Sequence, residues 1–155
     1  MIFQIKMGSA SRFDHLQDRG GQNCLFIKKM SESDVGWFTC VASNSLGTEM
    51  RRIKLEIAEP PVFTKRFEET TVLSRRHARF ECTVEGKPEP VVHWFKDWQP
   101  LGESDRIKIL WETPDRATLF INGVIVKDSG LYSCSASNIA GHASISAMLH
   151  IEGNY

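Results

Sequence analysis

The sequence lacks the features that mark several specialised protein classes. Its 19 Lys and Arg residues balance 19 Asp and Glu residues, so the formal net charge is zero. A nucleic-acid-binding protein normally carries a basic surplus that meets the phosphates, and this chain has none. Apolar runs are only a few residues long, as at Val124-Ile125-Val126, whereas a membrane-spanning helix needs about 20. The composition therefore predicts neither a nucleic-acid partner nor a membrane span.

Cysteine and histidine are also sparse. The four cysteines are too few for a disulfide-dense mini-protein, and none belongs to a Cys-x-x-Cys pair. No histidine follows a cysteine at the spacing of a zinc site, so the sequence predicts no metal ligands. The five histidines stand singly, and no nucleophile–base motif surrounds them. We therefore expect no catalytic residues, no cofactor and no small-molecule ligand.

What the sequence does contain is an internal repeat of 94 residues. Shifting the chain by 94 places Cys40 on Cys134, and Leu25-Phe26-Ile27 on Leu119-Phe120-Ile121. An Ala-Ser-Asn triplet recurs in the same register. A repeat at a fixed period indicates two copies of one structural unit. The second copy includes residues before the aligned region that have no counterpart in the first copy. The two copies are therefore unequal in length.

The second copy consists of short stretches of alternating polarity separated by turn residues. Residues 78–84 alternate between apolar and polar side chains, as in a strand with one buried face. The turn-forming stretch Gly86-Lys87-Pro88-Glu89-Pro90 then interrupts the pattern. Such breaks recur about every 8–12 residues and no helical stripe appears, which predicts an all-β sandwich.

Three features of the second copy carry a family resemblance. Cys82 and Cys134 are spaced like the cysteines of strands B and F of an immunoglobulin domain, and Trp94 is placed like the tryptophan of strand C. Residues 128–134 match the signature D-x-G-x-Y-x-C. The sequence therefore resembles the immunoglobulin superfamily, and within it the I-set domains of the titin, twitchin, obscurin, palladin and myosin light chain kinase type.

This resemblance implies an immunoglobulin-like β-sandwich and a role for each motif residue. Cys82 and Cys134 would meet in the core either as a disulfide or as a pair of thiols, and the sequence leaves that choice open. Trp94 and Tyr132 would fill the core, with Tyr132 forming a tyrosine corner. The residues assigned to the signature loop are Asp128 and Gly130.

The unequal repeat divides the chain into three predicted parts. Residues 1–57 match strands D to G only and are predicted to form a partial domain, in which Phe38 replaces the corner tyrosine. Residues 58–61 contain two prolines and are predicted to be a linker. Residues 62–152 are predicted to be one complete I-set domain. Because half a sandwich exposes its inner face, we expect the chain to be a fragment of a longer protein.

By resemblance, the chain is a non-catalytic tandem segment of a sarcomeric or cytoskeletal scaffold that acts as a spacer and a protein-docking module. A cytoplasmic location is favoured because the sequence has no Asn-x-Ser/Thr acceptor site. The repeat aligns Cys24 with Thr118 on the outer face of its strand, so Cys24 is expected to be an exposed free thiol. Such a thiol also favours a cytoplasmic location. Two alternatives stay open: an extracellular adhesion or receptor module with oxidised cysteines, and the immunoglobulin portion of a giant muscle kinase.

The candidate partner-binding residues are aromatic. Trp98 lies at the turn after strand C, where the family usually has glycine, and is expected to project from that corner. Trp111 and Phe120 are expected to add exposed aromatic surface. Because tryptophan is enriched in binding hot spots, these residues predict a docking surface for a protein whose identity the sequence does not give. The alternative is that Trp98 folds back onto the sandwich.

Overall fold

The computed structural model describes residues 2–4, 12–112 and 114–153. The chain divides into two compact units, residues 1–57 and residues 58–155. Within the described ranges every regular element is a strand or a single 3₁₀ turn, and no α-helix is present. The strands follow the period-2 alternation seen in the sequence, because that pattern gives each strand one face to bury.

The first unit has two small antiparallel sheets. Its strands are β1 (Ile2–Gln4), β2 (Phe13–Gln17), β3 (Asn23–Ile27), β4 (Gly36–Asn44) and β5 (Gly47–Leu55). One sheet has the order β1-β4-β5 and the other contains β2 and β3. The strand β1 was not among the predicted strands D to G. It pairs with β4, and Phe3 lies opposite Ala42. The first unit therefore contains one short strand more than the predicted set.

The second unit is a sandwich of two larger sheets. Its strands are β6 (Glu59–Lys65), β7 (Thr70–Leu73), β8 (Ala78–Lys87), β9 (Val91–Lys96), β10 (Gln99–Pro100), β11 (Ile107–Glu112), β12 (Arg116–Ile121), β13 (Gly130–Asn138) and β14 (Gly141–Glu152). One sheet has the order β10-β9-β13-β14-β7, and the other has the order β11-β12-β8-β6. All neighbours are antiparallel except β7 and β14, which run parallel.

The core of the second unit lies between these two sheets. On β8 the buried side chains alternate with exposed or half-buried ones. Burial of apolar surface is the main favourable term in folding, so this layer holds the sandwich together. The side chains with the lowest exposure in the apolar cluster are Ala78, Phe80, Cys82, Val84, Trp94, Ala117, Leu119, Ile121, Val124, Tyr132, Cys134, Ala136 and Leu149.

The linker prediction for residues 58–61 requires correction, because Glu59, Pro60 and Pro61 belong to β6. A register irregularity between Glu59 and Val62 accommodates the two prolines, which have no N–H to donate to the neighbouring strand. Asn138 Nδ2 donates to the carbonyl oxygen of Glu59 at 2.7 Å. The stretch is therefore the start of the second sandwich and not a free connection.

The exposure predicted for Cys24 is also wrong. Cys24 is half-buried, and Thr118, its counterpart in the repeat, is buried. Thr118 lies between Leu110 and Glu81 on the flanking strands, and long neighbouring side chains cover a short one in the middle of a sheet. Position on the outer face therefore does not guarantee exposure.

Candidate functional site: the cysteine–tryptophan core and the turn between β9 and β10

Cys82 and Cys134 face each other across the middle of the second sandwich. Both are fully buried free thiols, and their Sγ atoms are 3.7 Å apart. The hydrogen bond with Cys82, together with burial, raises the pKa of the Cys134 thiol. A neutral buried thiol is a poor nucleophile, so the pair packs as two small apolar groups. Trp94 is opposite Cys134 on the neighbouring strand and is likewise buried.

Tyr132 forms a corner that ties β13 to the preceding loop. Its hydroxyl donates to the carbonyl oxygen of Asp128 at 2.8 Å. Burial, followed by the nearby carboxylates, raises the pKa of Tyr132, so the phenol stays a neutral donor. This bond satisfies a polar group that burial would otherwise leave unpaired.

The carboxylate of Asp128 organises the same loop. It accepts the N–H of Ile125 at 2.9 Å, and one guanidinium nitrogen of Arg106 donates to its two oxygens at 2.9 and 3.0 Å. The first unit repeats the arrangement, because Arg12 donates to both carboxylate oxygens of Asp34. The hydrogen bond from Arg12 is the main cause that holds the pKa of Asp34 below its ordinary value. The shift of 94 residues also relates Arg12 to Arg106 and Asp34 to Asp128, but the sequence does not indicate that each arginine pairs with its aspartate.

Replacing Tyr132 with Phe should lower the free energy of unfolding of the second unit by about 1 kcal/mol, because one buried hydrogen bond is lost while the ring remains. Urea unfolding of the full chain, followed by hydrogen exchange at β13 amides, measures the change. Ser137→Ala, at an exposed position of the same strand, is the matched control and should have almost no effect. Equal effects of the two substitutions would contradict a stabilising role for the corner.

Gly130 allows the signature loop to approach the turn between β9 and β10. Its φ of 154° lies outside the range that side-chain-bearing residues readily adopt. A Cβ atom there would lie 2.6 Å from Asp97 Oδ2. The Asp97 carboxylate accepts the N–H of Leu131 at 2.9 Å, and hydrogen bonds from Lys96 and Leu131 lower the pKa of Asp97. The loop and the turn are thus joined through one carboxylate.

The turn itself is a two-residue hairpin with both residues in the left-handed region. Lys96 and Gln99 are paired across it, and Asp97 and Trp98 have φ values of 49° and 67°. Such hairpins favour Asn-Gly or Asp-Gly because a side chain is strained at positive φ. Trp98 nevertheless occupies the glycine position, and its surface is 74% exposed. Residues held in such strained conformations cluster at functional sites, so Trp98 is a candidate for a functional role.

The structure does not give Trp111 and Phe120 the exposure that was predicted for them. Trp111 packs against the core, and its Nε1 donates to Glu89 at 2.6 Å. Phe120 is half-buried, with its ring centroid 5.4 Å from that of His77. Both belong to the four-stranded sheet, whereas Trp98 adjoins the five-stranded sheet. The three aromatic residues therefore do not share one sheet, and only Trp98 among them is mostly exposed.

Two exposed apolar residues at hairpin tips were missed by the sequence reasoning. Leu46, between β4 and β5, and Ile139, between β13 and β14, are among the most exposed large side chains of the described residues. Each lies one or two residues after an asparagine, Asn44 or Asn138, whose side-chain oxygen accepts a backbone N–H two residues on. The apolar residue shortly after the repeated Ala-Ser-Asn triplet was the available signal, because turn positions are normally polar.

No group of three or more His, Cys, Asp and Glu side chains suited to a metal ion occurs in the described part of the chain. Within the same ranges, no helix has the length and apolar character needed to cross a bilayer.

Comparison with known proteins agrees with this architecture. The family model for the immunoglobulin I-set domain matches residues 61–151. The muscle M-line assembly protein unc-89 of Caenorhabditis elegans is 36% identical over 138 residues, which is 88% of this chain and 2% of that protein. Mouse hemicentin-1 is 35% identical over 127 residues, which is 82% of this chain and 2% of that protein.

Among solved structures, the I-band fragment I67–I69 from titin superposes with a TM-score of 0.76 at 30% identity, covering 97% of this chain and 56% of that one. Two packed sheets with a buried Cys-Trp-Cys centre define an immunoglobulin-like domain protein, and the predicted all-β fold is confirmed. The chain belongs to the immunoglobulin I-set family. It spans only a few per cent of the two curated relatives described above.

Proposed function

We propose that this chain is a non-catalytic segment of a sarcomeric or cytoskeletal scaffold, in which it serves as a spacer and as a docking module for other proteins. Similarity to muscle scaffold proteins supports a sarcomeric or cytoskeletal location. The non-catalytic role is supported because immunoglobulin domains are in general non-catalytic. The domain limits proposed from the repeat, with a complete domain at residues 62–152, fit a family match over residues 61–151.

A docking role rests on one observation, the exposed and strained Trp98. A left-handed conformation costs a residue with a side chain about 1–2 kcal/mol relative to glycine. The same turn would form readily with Asp97 followed by glycine. A large apolar ring kept in solvent at that cost gives a protein partner an anchor of the type enriched in hot spots.

The test compares two substitutions of the same residue. Trp98→Ala should weaken capture of a muscle-extract partner at least about 30-fold, the loss expected when a hot-spot anchor is truncated. Trp98→Gly should weaken it equally while raising the free energy of unfolding by about 1 kcal/mol, since glycine relieves the backbone strain. Quantitative mass spectrometry of captured proteins and urea unfolding provide the two readouts.

Trp37→Ala is the matched control, because Trp37 is also a mostly exposed tryptophan but lies on β4 of the first unit. Some proteins can be captured in equal amounts by the wild type and by both variants. Binding of such proteins does not depend on the turn between β9 and β10. If every captured protein behaves in this way, the docking role assigned to Trp98 is wrong.

An extracellular adhesion or receptor module is the second candidate, favoured by the similarity to hemicentin-1, an extracellular relative. In that setting the two core sulfurs, 3.7 Å apart here, would be joined as a disulfide. The two candidate functions are distinguished by the state of these cysteines. Native protein is quenched with acid to stop thiol exchange and denatured, and its free thiols are then labelled. Free Cys82 and Cys134 support the cytoplasmic proposal, and an oxidised pair supports the extracellular one.

A further inference from the structure

The return strand of the turn that carries Trp98 contributes little to holding that turn in place. β10 consists of two residues, its neighbour in the sheet is β9, and Pro100 has no N–H to donate. The ring of Trp98 is mostly exposed, so packing does not hold it either. The direction in which the side chain leaves the turn is therefore set by the backbone, which is left-handed at both Asp97 and Trp98.

The Asp97 side chain joins this turn to β13 by taking the place of a backbone group. β9 and β13 pair as far as Lys96 opposite Tyr132, and the next pair along the two strands is Asp97 with Leu131. The N–H of Asp97 donates to the carbonyl oxygen of Leu131 at 2.8 Å. The return bond runs from the N–H of Leu131 to Asp97 Oδ1 at 2.9 Å, where a regular antiparallel pair would use a backbone carbonyl. The carboxylate therefore completes the pair at the residue where the strand ends and the hairpin begins.

Two further groups fix the second oxygen of the same carboxylate. Lys96 Nζ donates to Asp97 Oδ2 at 2.8 Å. Gly130 leaves the space that this oxygen occupies, because a Cβ atom there would lie 2.6 Å from it. A backbone conformation that strains a residue with a side chain persists only where the surrounding contacts over-determine it. The contacts of Asp97 with Leu131, Lys96 and Gly130 meet that condition.

We infer that Asp97 is the positioning residue of the docking turn. Through its bonds to the backbone of Leu131 it holds the strained hairpin in one conformation and keeps the Cα–Cβ bond of Trp98 pointing in one direction. A side chain that is ordered before its partner arrives loses less conformational entropy on binding. The functional meaning of this inference rests on the proposed docking role of Trp98, but the ordering of the turn can be measured without a partner.

Three substitutions of Asp97 separate its hydrogen bond from its backbone preference. Asparagine keeps an acceptor oxygen and tolerates the left-handed region. Glycine suits that region better but has no acceptor, and alanine offers neither property. If the hydrogen bond positions the turn, Asp97→Gly and Asp97→Ala both loosen it, whereas Asp97→Asn retains most of the order. If Asp97→Gly leaves the turn as ordered as in the wild type, backbone preference alone is responsible and the inference is overturned.

NMR relaxation of the Trp98 backbone amide in the full chain measures the order of the turn. Order parameters are about 0.85 for rigid backbone and below about 0.6 for flexible backbone. We expect the higher value in the wild type and in Asp97→Asn. In Asp97→Gly and Asp97→Ala we expect the lower value, or microsecond-to-millisecond exchange that the wild type does not show.

A matched control replaces an aspartate elsewhere in the second unit. Asp105, an exposed residue of the loop before β11, is replaced by alanine, and Asp105→Ala should leave the Trp98 amide unchanged. The amides of β8 and β13 report whether the sandwich of each variant is folded. A wild-type Trp98 amide as flexible as that of Asp97→Ala would overturn the inference.

The muscle-extract capture assay separates this inference from the proposed function. For proteins whose capture depends on Trp98, Asp97→Gly and Asp97→Ala should weaken capture about two- to tenfold, because the partner must then order the turn. Trp98→Ala, which removes the ring itself, should have the larger effect. If Trp98→Ala changes no capture while both Asp97 variants loosen the turn, the docking function fails and Asp97 still orders the turn. If Trp98→Ala abolishes capture while both variants bind as the wild type does, the positioning role fails and the docking function stands.

Discussion

Trp94→Ala should lower the free energy of unfolding of the second unit by about 3–5 kcal/mol, the range for truncating a buried tryptophan or phenylalanine. Trp94 is 2% exposed, and its ring centroid is 5.3 Å from that of Phe67. Its removal leaves a cavity beside Cys134 that two hydrogen-bonded sheets cannot close without disturbing their pairing. Urea unfolding with hydrogen exchange at the amides of β8 and β13 measures the loss.

Trp94→Phe separates the volume of the side chain from its polar atom. Nε1 of Trp94 is buried without a hydrogen-bond partner among the described residues, and phenylalanine removes that unpaired donor while keeping much of the volume. We expect a loss of less than about 1.5 kcal/mol. Trp98→Ala controls for tryptophan removal as such and should not destabilise the unit. A Trp94→Ala protein as stable as the wild type would refute the central role given to this residue.

Gly130→Ala should cost the second unit about 3 kcal/mol, because two penalties act together. The backbone at φ 154° is strained for alanine, and the added methyl group would contact the Asp97 carboxylate at 2.6 Å. Asp97 would have to move, which weakens its hydrogen bond from the N–H of Leu131. The measurement is again urea unfolding of the full chain.

Gly102→Ala is the control for this substitution, because Gly102 has an ordinary φ and an added methyl group would meet no atom within 4 Å. It should change stability by less than about 0.5 kcal/mol. The double variant Gly130→Ala with Asp97→Ala should recover the part of the loss that comes from the steric contact. Additive losses in the double variant would show that the contact with Asp97 contributes nothing.

The fold was predictable because a few residues specify it together. The spacing of Cys82, Trp94 and Cys134 indicated two sheets meeting at one centre, and alternation within β8 indicated which face is buried. These signals are local in the sequence or carried by a motif. The confirmed prediction, an all-β immunoglobulin-like fold, follows from them directly.

The remaining features depend on contacts between residues that are distant in the sequence. The pairing of Arg106 with Asp128 and the hydrogen bond from Trp111 to Glu89 both join residues 22 positions apart. No periodicity or spacing indicates such contacts. Pro60 and Pro61 gave a misleading signal, because proline usually interrupts pairing, but a strand with an irregular register tolerates it.

The candidate docking site was only partly accessible to sequence reasoning. Trp98 was identified because it replaces a glycine in a recognisable turn. Trp111 and Phe120 were judged by residue type alone, whereas their contacts include Glu89 and His77, which lie in the loops before β9 and before β8. Exposure of a single side chain is therefore the least predictable property of such a sandwich.

The upward shifts of the pKa values of Cys134 and Tyr132 determine how these two groups affect stability as the pH changes. Both groups start from ordinary values of 9.0 and 10.0, and both are neutral in the folded protein at those pH values. Their contribution to stability is therefore complete in acid and at neutrality, and it declines only as alkali ionises the unfolded chain. A fall in pH from neutrality therefore leaves both groups protonated, and their contribution to the stability of the sandwich does not change.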